Sequence, residues 1–421
     1  MQRLLVRPSG PLSGEVCIGG AKNSVLKLMA AALLAPGSYE LTNVPGIADV
    51  EVMGELLATM GVVCHRAADR QDHLRLDVPA HIRPEAPYEL AERLRASIAV
   101  LGPLLARCGT ARVSLPGGDD FGARPIDMHL RGLEALGATF ELKHGYLEAR
   151  ADDGLRGAPV TLEFPSVGAT ENIVMAAVLA KGTTVLDNAA REPEIVDLCR
   201  FLEGMGARLH GVGSPTITIH GVTPADLHGT QHAVVPDRLE AATFLAAVGV
   251  AGGELHLRGA RPDHIEMLLR KVGEMGVSVT DSGSGLWASA SGRLRSTDIA
   301  SLPYPGVATD YVPMLAAMLA VADGVGIITE NLFAGRFRYL AELGRMGADV
   351  RTDSHHAVIR GVPRLSGAPV RAHDIRAGAA LVIAALAADG DTVIADAHHL
   401  DRGYTDLDGK LRSIGVDITR L

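Results

Sequence analysis

Aromatic residues are scarce in this chain: 7 Phe, 7 Tyr and 1 Trp among 421 residues. That scarcity, with a formal net charge of −9, excludes the surfaces that grip nucleic acid, a row of stacking rings or a basic stripe. Long apolar runs are missing too. A stretch such as Leu381 to Ala388 falls well short of the roughly 18 residues that a membrane-crossing helix needs. The opening Met1-Gln2-Arg3-Leu4-Leu5-Val6-Arg7-Pro8 lacks the apolar block of a signal peptide. Cysteine is limited to Cys17, Cys64, Cys108 and Cys199, without the paired spacing of a metal knuckle or a disulfide framework. His355-His356 and His398-His399 have no spaced third ligand, so no metal is expected. These absences predict a reduced, soluble, cytoplasmic protein without a metal, a nucleic-acid partner or a membrane partner.

What the chain does have is a repeat. Gly61, Gly137, Gly206, Gly276, Gly347 and Gly415 each follow Met, Leu or Ile and precede Val or Ala, at spacings of 76, 69, 70, 71 and 68 residues. A period of that size held across the whole chain means six copies of one supersecondary unit. Each copy reads as a small-residue apolar helix, a glycine turn and strand, a more polar helix ending at the marker glycine, and one or two further strands. Glycine suits the left-handed position that closes such a helix. The unit is βαβαββ and the class α/β. First helices such as Val25 to Leu34, rich in Ala, Leu and Met, lack a broad polar face and are expected to be buried on nearly all sides. Strands wrapped around helices follow.

The helix starts carry the chemistry. The six first helices are expected to open near Lys22-Asn23, Arg95-Ala96-Ser97, Ser166-Val167-Gly168, Asp237-Arg238, Thr309-Asp310 and Ile375-Arg376. An arginine precedes five of the six second helices: Arg124, Arg191, Arg261, Arg336 and Arg402. Free N–H groups and the positive dipole end attract anions to a helix start, and guanidinium groups add bidentate recognition of carboxylate or phosphate. A pairing arginine recycled in every repeat accounts for single members, Arg191 and Arg261 above all, each beside an acid and a proline. It does not account for the whole set in an acidic chain. A multiply anionic ligand is expected. Between two units, Ser114-Leu115-Pro116-Gly117-Gly118-Asp119-Asp120-Phe121-Gly122-Ala123-Arg124 reads as a mobile lid with two acids at its tip, or as a solvated surface loop.

That loop, with Gly20-Ala21-Lys22-Asn23-Ser24, Ser166-Val167-Gly168-Ala169-Thr170, Asn188 to Glu194 and Asp401-Arg402-Gly403-Tyr404, resembles the enolpyruvyl transferases from the first residues to the last. The nearest resemblance is to the branch acting on UDP-N-acetylglucosamine in peptidoglycan precursor synthesis. It implies two inside-out α/β barrel domains of three repeats each, 22–230 with loop 114–124 and 1–21 plus 231–421, with the active site in the cleft between them. It also implies transfer of the enolpyruvyl group of phosphoenolpyruvate to the sugar 3-hydroxyl, with release of phosphate and no cofactor.

Residue by residue, the resemblance gives Lys22 a contact to phosphoenolpyruvate and Asn23 a contact to the sugar nucleotide. Arg95 becomes a contact to sugar nucleotide and phosphate, and Arg124 a phosphate clamp. Pro125, Ile126, Asp127 and Met128 match the stretch that holds uracil, and Ser166, Val167 and Gly168 the segment around the diphosphate. Asp310 matches the general base beside the 3-hydroxyl, and Leu332 a backbone contact to the sugar nucleotide. Arg336, Arg376 and Arg402 match arginines around carboxylate and phosphate, in an assignment left open. Two departures stand out. Asp119 occupies the position of the family's usual loop cysteine, as in a subset of members. A carboxylate desolvated by a closed lid can serve as the acid, and it is a poorer nucleophile than a thiolate towards alkylating epoxides. Phe164-Pro165 stands where many members carry a lysine, leaving one cation fewer on the nucleotide side. Two other readings remain: a paralogue in specialised metabolism acting on another nucleotide, and a non-catalytic sugar-nucleotide sensor.

Overall fold

The computed structural model describes residues 2–66, 70–118, 124–333 and 335–421. The six first-helix segments appear where the repeat places them. We label them α1 (Lys22–Ala31), α2 (Leu101–Cys108), α3 (Val167–Ala177), α4 (Arg238–Ala251), α5 (Val312–Val321) and α6 (Ile375–Leu386). Short 3₁₀ turns lead into two of them, Arg95–Val100 into α2 and Thr309–Tyr311 into α5. Sequence explains the burial. Every residue of α6 is buried, as are Val312 to Ala320 of α5 and Ala169 to Ala177 of α3; most are apolar and leave no face that water would hold, and the polar exceptions Thr170, Glu171, Asn172 and Arg376 are paired.

Among the described residues six four-stranded sheets share one plan. An edge strand pairs parallel with the first strand of the repeat. The first pairs antiparallel with the third, and the third with the second. In the second repeat these are Glu85–Ala86, Thr110–Ser114, Tyr146–Arg150 and Thr139–Lys143. The sixth repeat takes its third strand, Arg3–Val6, from the other end of the chain. All six marker glycines take positive φ, from 90° to 110°, so the turn that ends each outer helix is the left-handed one the spacing predicts.

The chain divides into two compact units, one holding Pro236–Leu421 with the N-terminal residues through Gly19, the other Gly20–Gly118 with Arg124–Val235. Their edge strands are exchanged in sequence order. Leu12–Cys17, which precedes α1, pairs with Gly253–Arg258 in the fourth sheet, while Gln231–Ala233, which precedes α4, pairs with Gly37–Thr42 in the first. The chain passes between the units after Gly19 and after Val235. A three-residue edge strand offers too little periodicity to be read from sequence.

Within the unit of Pro236–Leu421, α4, α5 and α6 pack against one another. In the other unit α1 packs on the Arg95–Val100 turn and α2 on α3. The α2–α3 approach is close enough that a Cβ on Gly102 would lie 2.4 Å from the Asn172 carbonyl oxygen. Helices packed this tightly hold their starts in fixed positions. No helix among the described residues is long and apolar enough to cross a membrane.

Candidate active site

Among the described residues, most of those expected to act lie at or beside helix starts, in both units. In the unit of Gly20–Val235, Lys22 opens α1 and pairs with Asp49 at 2.7 Å, its side chain 11% exposed. Asp49 sits in the first turn of the helix Ala48–Thr59, where an acid complements the free N–H groups. It is a partner that sequence reasoning did not single out. Asn23 follows in α1, and one turn on Lys27 reaches Glu171 of α3 at 2.9 Å. Burial raises Glu171 to about 6 despite Lys27.

Arg95 donates to the Pro116 carbonyl at 3.5 Å and to the Arg124 carbonyl, which lie on either side of residues 119–123. Burial, with Arg124 beside it, lowers Arg95 to about 10, so it stays charged at neutral pH. Gly117 and Gly118 donate backbone hydrogen bonds to the carbonyls of Ala91 and Glu92 (3.0 and 3.1 Å), and a Cβ on Gly117 would lie 1.8 Å from the Glu92 oxygen. Close approach to another backbone, more than freedom of the loop, accounts for this pair. Asp119, the expected acid, lies outside the described residues.

Pro125 and Ile126 lead into the helix Asp127–Ala135, which carries Asp127 and Met128 in its first turn. Ser166 caps α3, accepting from the Ala169 N–H at 3.3 Å, and Val167 and Gly168 follow. His129 joins these two stretches. A Cβ on Gly168 would meet its ring at 3.0 Å, and its Nδ1 lies 2.9 Å from Asn172 Nδ2. Asn172 Oδ1 accepts from the Gly102 N–H at 2.8 Å. Its amide therefore donates to Nδ1, and the His129 proton sits on Nε2. Burial, then Arg95 and Lys27, push His129 down to about 4, so it is neutral. Phe164, in the stretch that departs from the family, is 37% exposed.

A prediction follows for acid stability. An imidazole whose folded pKa is depressed leaves its stabilisation intact above about 6.5 and loses it as pH falls towards 4. The loss is about 3 kcal/mol at about 1.4 kcal/mol per pKa unit. Glu171, shifted upward, works in the opposite sense between about 6 and its ordinary range. His129→Gln removes the first contribution alone, so its thermal midpoint should fall less than the parent's between pH 7 and 4.5. Parallel pH profiles for the two proteins would rule out the buried neutral imidazole.

In the other unit the geometry is tighter. Asp310 lies between Arg336 Nη1 at 2.7 Å and Arg376 Nε at 3.2 Å, and both arginine side chains are only 4% exposed. Burial opposes the charge on Asp310, but the two guanidiniums outweigh it and hold the carboxyl well below the ordinary range. Asp374 caps α6 by accepting from the Arg376 and Ala377 N–H groups at 2.8 and 2.9 Å, which fixes the root of Arg376. The Arg376 guanidinium lies 5.2 Å from the centre of the Tyr404 ring, and a Cβ on Gly403 would meet Ile375 at 2.5 Å. The Arg402-Gly403-Tyr404 segment thus borders the start of α6. Arg402 lies between the helices His398–Asp401 and Leu407–Ser413.

Leu332 sits in the turn after the strand Val325–Thr329. Glu330 organises that turn, and the sequence reading missed it. It is 2% exposed, and a lone glutamate closing an apolar strand was the available signal.

A family model described as EPSP synthase (3-phosphoshikimate 1-carboxyvinyltransferase) matches residues 6–411. A protein of Gluconobacter oxydans (strain 621H) named UDP-N-acetylglucosamine 1-carboxyvinyltransferase is 50% identical over 422 residues, covering 100% of both chains. A protein of the same name from Mycobacterium tuberculosis (strain CDC 1551 / Oshkosh) is 49% identical over 420 residues, covering 100% of this chain and 99% of the relative. Among solved structures, the enolpyruvyl transferase NikO from Streptomyces tendae superposes with a TM-score of 0.88 at 28% identity, covering 100% of this chain and 99% of that one. EPSP synthase from Acinetobacter baumannii, with a TM-score of 0.75 at 17% identity and full coverage of both chains, shares the fold.

Proposed function

We propose a function from one premise: this chain belongs to the EPSP synthase (3-phosphoshikimate 1-carboxyvinyltransferase) family of enolpyruvyl transferases. Within it, the protein is a UDP-N-acetylglucosamine 1-carboxyvinyltransferase. It transfers the enolpyruvyl group of phosphoenolpyruvate to the 3-hydroxyl of UDP-N-acetylglucosamine and releases phosphate, a step of peptidoglycan precursor synthesis. The observation that carries the acceptor is identity of 49–50% over essentially the whole length of relatives bearing that name. Each unit is read as an inside-out α/β barrel, a reading supported by helices buried all round and by the repeated sheet plan. The cysteines Cys17, Cys64, Cys108 and Cys199 are free, which suits a reducing cytoplasm.

The chemistry divides between the two units. Asp119 delivers a proton to the methylene carbon of phosphoenolpyruvate, and positive charge develops at the neighbouring carbon. The sugar 3-hydroxyl adds there while Asp310 takes its proton. Phosphate then leaves, and loss of a proton from the new methyl group restores the double bond. Lys22, Arg124, Arg336, Arg376 and Arg402 hold the phosphate and carboxylate charges, which makes binding and leaving-group stabilisation one task. Asn23 and Arg95 with Pro125, Ile126, Asp127 and Met128 hold the nucleotide. Ser166, Val167 and Gly168, at a helix start, lie around the diphosphate, and Leu332 contacts the sugar.

Phosphate release in the presence of phosphoenolpyruvate tests the acceptor. Release is expected with UDP-N-acetylglucosamine and not with shikimate 3-phosphate. Release with shikimate 3-phosphate alone would overturn the reading. Binding of the UDP-sugar without any phosphate release would make the protein a sensor.

A further inference from the structure

We infer that Glu330 is a positioning residue for the proposed reaction, its buried carboxylate tying the Asp310–Arg336 pair to the turn that carries Leu332. Glu330 Oε1 accepts from Ser301 Oγ (2.6 Å) and from the backbone N–H groups of Leu332 (2.9 Å) and Phe333 (3.2 Å). Its Oε2 accepts from Thr309 Oγ1 (2.7 Å). Thr309 Oγ1 in turn accepts from Arg336 Nη1 (3.0 Å), the same nitrogen that lies 2.7 Å from Asp310. One carboxylate therefore joins three segments: the edge-strand end at Ser301, the turn that presents Asp310 and the turn at Leu332.

Comparison among the repeats argues against a generic turn cap. After the first strand of the first and third repeats stand Asn43 and Asn188, each donating from Nδ2 to the residue after the edge strand, Val234 or Leu162, at 2.8 Å. Both take left-handed backbone, φ 55°. Asn331 makes the equivalent bond to the Ser301 carbonyl at 3.0 Å but is not among the residues with positive φ. The fifth repeat keeps the asparagine bond and takes a different turn, the one in which Glu330 captures two backbone N–H groups. The bond to Thr309 lies outside the needs of that turn. It points to the pair beside it.

The two carboxylate oxygens separate the two tasks. Glu330→Gln keeps its carbonyl oxygen for the three donors at Oε1 and sets an NH₂ group against Thr309. That hydroxyl then becomes an acceptor twice over and loses its own acceptor. Only the branch towards Arg336 and Asp310 is disturbed. Ser301→Ala disturbs the other branch.

This inference rests on the proposed function, so the unsubstituted protein is assayed beside each variant with phosphoenolpyruvate and UDP-N-acetylglucosamine. Glu330→Gln should lower kcat about tenfold or more with KM for the UDP-sugar within about twofold, whereas Ser301→Ala should chiefly raise that KM. Adding Thr309→Val to Glu330→Gln should cost less than about a further twofold, because the two act in series. Thermal midpoints near the parent's are expected, and UDP-sugar binding by calorimetry keeps the comparison readable in a weakened fold. An active parent with Glu330→Gln at full kcat, or losses that multiply, would overturn the role of Glu330 alone. A parent that releases no phosphate would overturn the function and this role with it.

Discussion

Asp310→Asn is expected to reduce phosphate release by about 10²- to 10⁴-fold, the range that a positioned general base contributes. The amide keeps the size of the carboxylate and can still accept from one guanidinium, but it cannot take up the proton of the sugar hydroxyl. Asn is a cleaner test than Ala, because Arg336 and Arg376 are both buried against this carboxylate. Either substitution removes the negative charge from this buried pair, a loss of about 3–5 kcal/mol, but Ala also removes the acceptor that Asn retains. Two guanidiniums hold the Asp310 carboxyl well below the ordinary range, so it is ionised and weakly basic. Phosphate and carboxylate groups that draw Arg336 and Arg376 to themselves would raise its basicity when the acceptor hydroxyl is present. Turnover, UDP-sugar binding and melting of the Asn variant check this. Turnover within about tenfold of the parent would remove Asp310 from the role of base.

Asp119→Ala is expected to reduce turnover by a similar factor, about 10²- to 10⁴-fold, by removing the acid that protonates the methylene carbon. UDP-sugar binding should persist, because the proposed nucleotide contacts are other residues. The unsubstituted protein should resist alkylation by an epoxide that modifies loop cysteines, since a carboxylate attacks an epoxide far more slowly than a thiolate does. Asp119→Cys should become modifiable at that position. Intact-mass measurement after epoxide treatment separates the two proteins. Full turnover by Asp119→Ala, or modification of Asp119 itself, would contradict this assignment.

Legibility from sequence followed the range of the interactions. The repeat was readable because Gly61, Gly137, Gly206, Gly276, Gly347 and Gly415 all need the same left-handed turn, a local demand that spacing exposes. The six helix starts were readable for a similar reason. Apolar helices without a polar face must begin where polar or small residues give way to Ala and Leu, as at Ser166 and Asp374, both of which cap. The return of the N-terminal strand to the second unit came from the family resemblance alone, and the pairing of Gln231–Ala233 with the first sheet was not readable. Leu12–Cys17 and Gln231–Ala233 precede equivalent helices, and only pairing across the chain shows which sheet each joins. Asp49 beside Lys22, His129 against Gly168, and Glu330 beneath Leu332 were missed for the same reason. Each is an ordinary residue in its own segment and acquires a role from a neighbour distant in sequence. Gly117 and Gly118 answer to a neighbour in the same way: the Ala91–Arg95 backbone lies against both, and Gly118 also takes left-handed backbone at φ 98°.

The most direct test of the account is the reaction itself run in D₂O, with phosphoenolpyruvate and UDP-N-acetylglucosamine and mass detection of the sugar nucleotide. Addition followed by elimination passes through a methyl group that holds one solvent deuteron. The expected result is phosphate together with enolpyruvyl UDP-N-acetylglucosamine carrying deuterium in its vinyl methylene. Product without deuterium would contradict proton delivery by Asp119 to the methylene carbon, and unchanged sugar nucleotide from the folded protein would contradict the transfer.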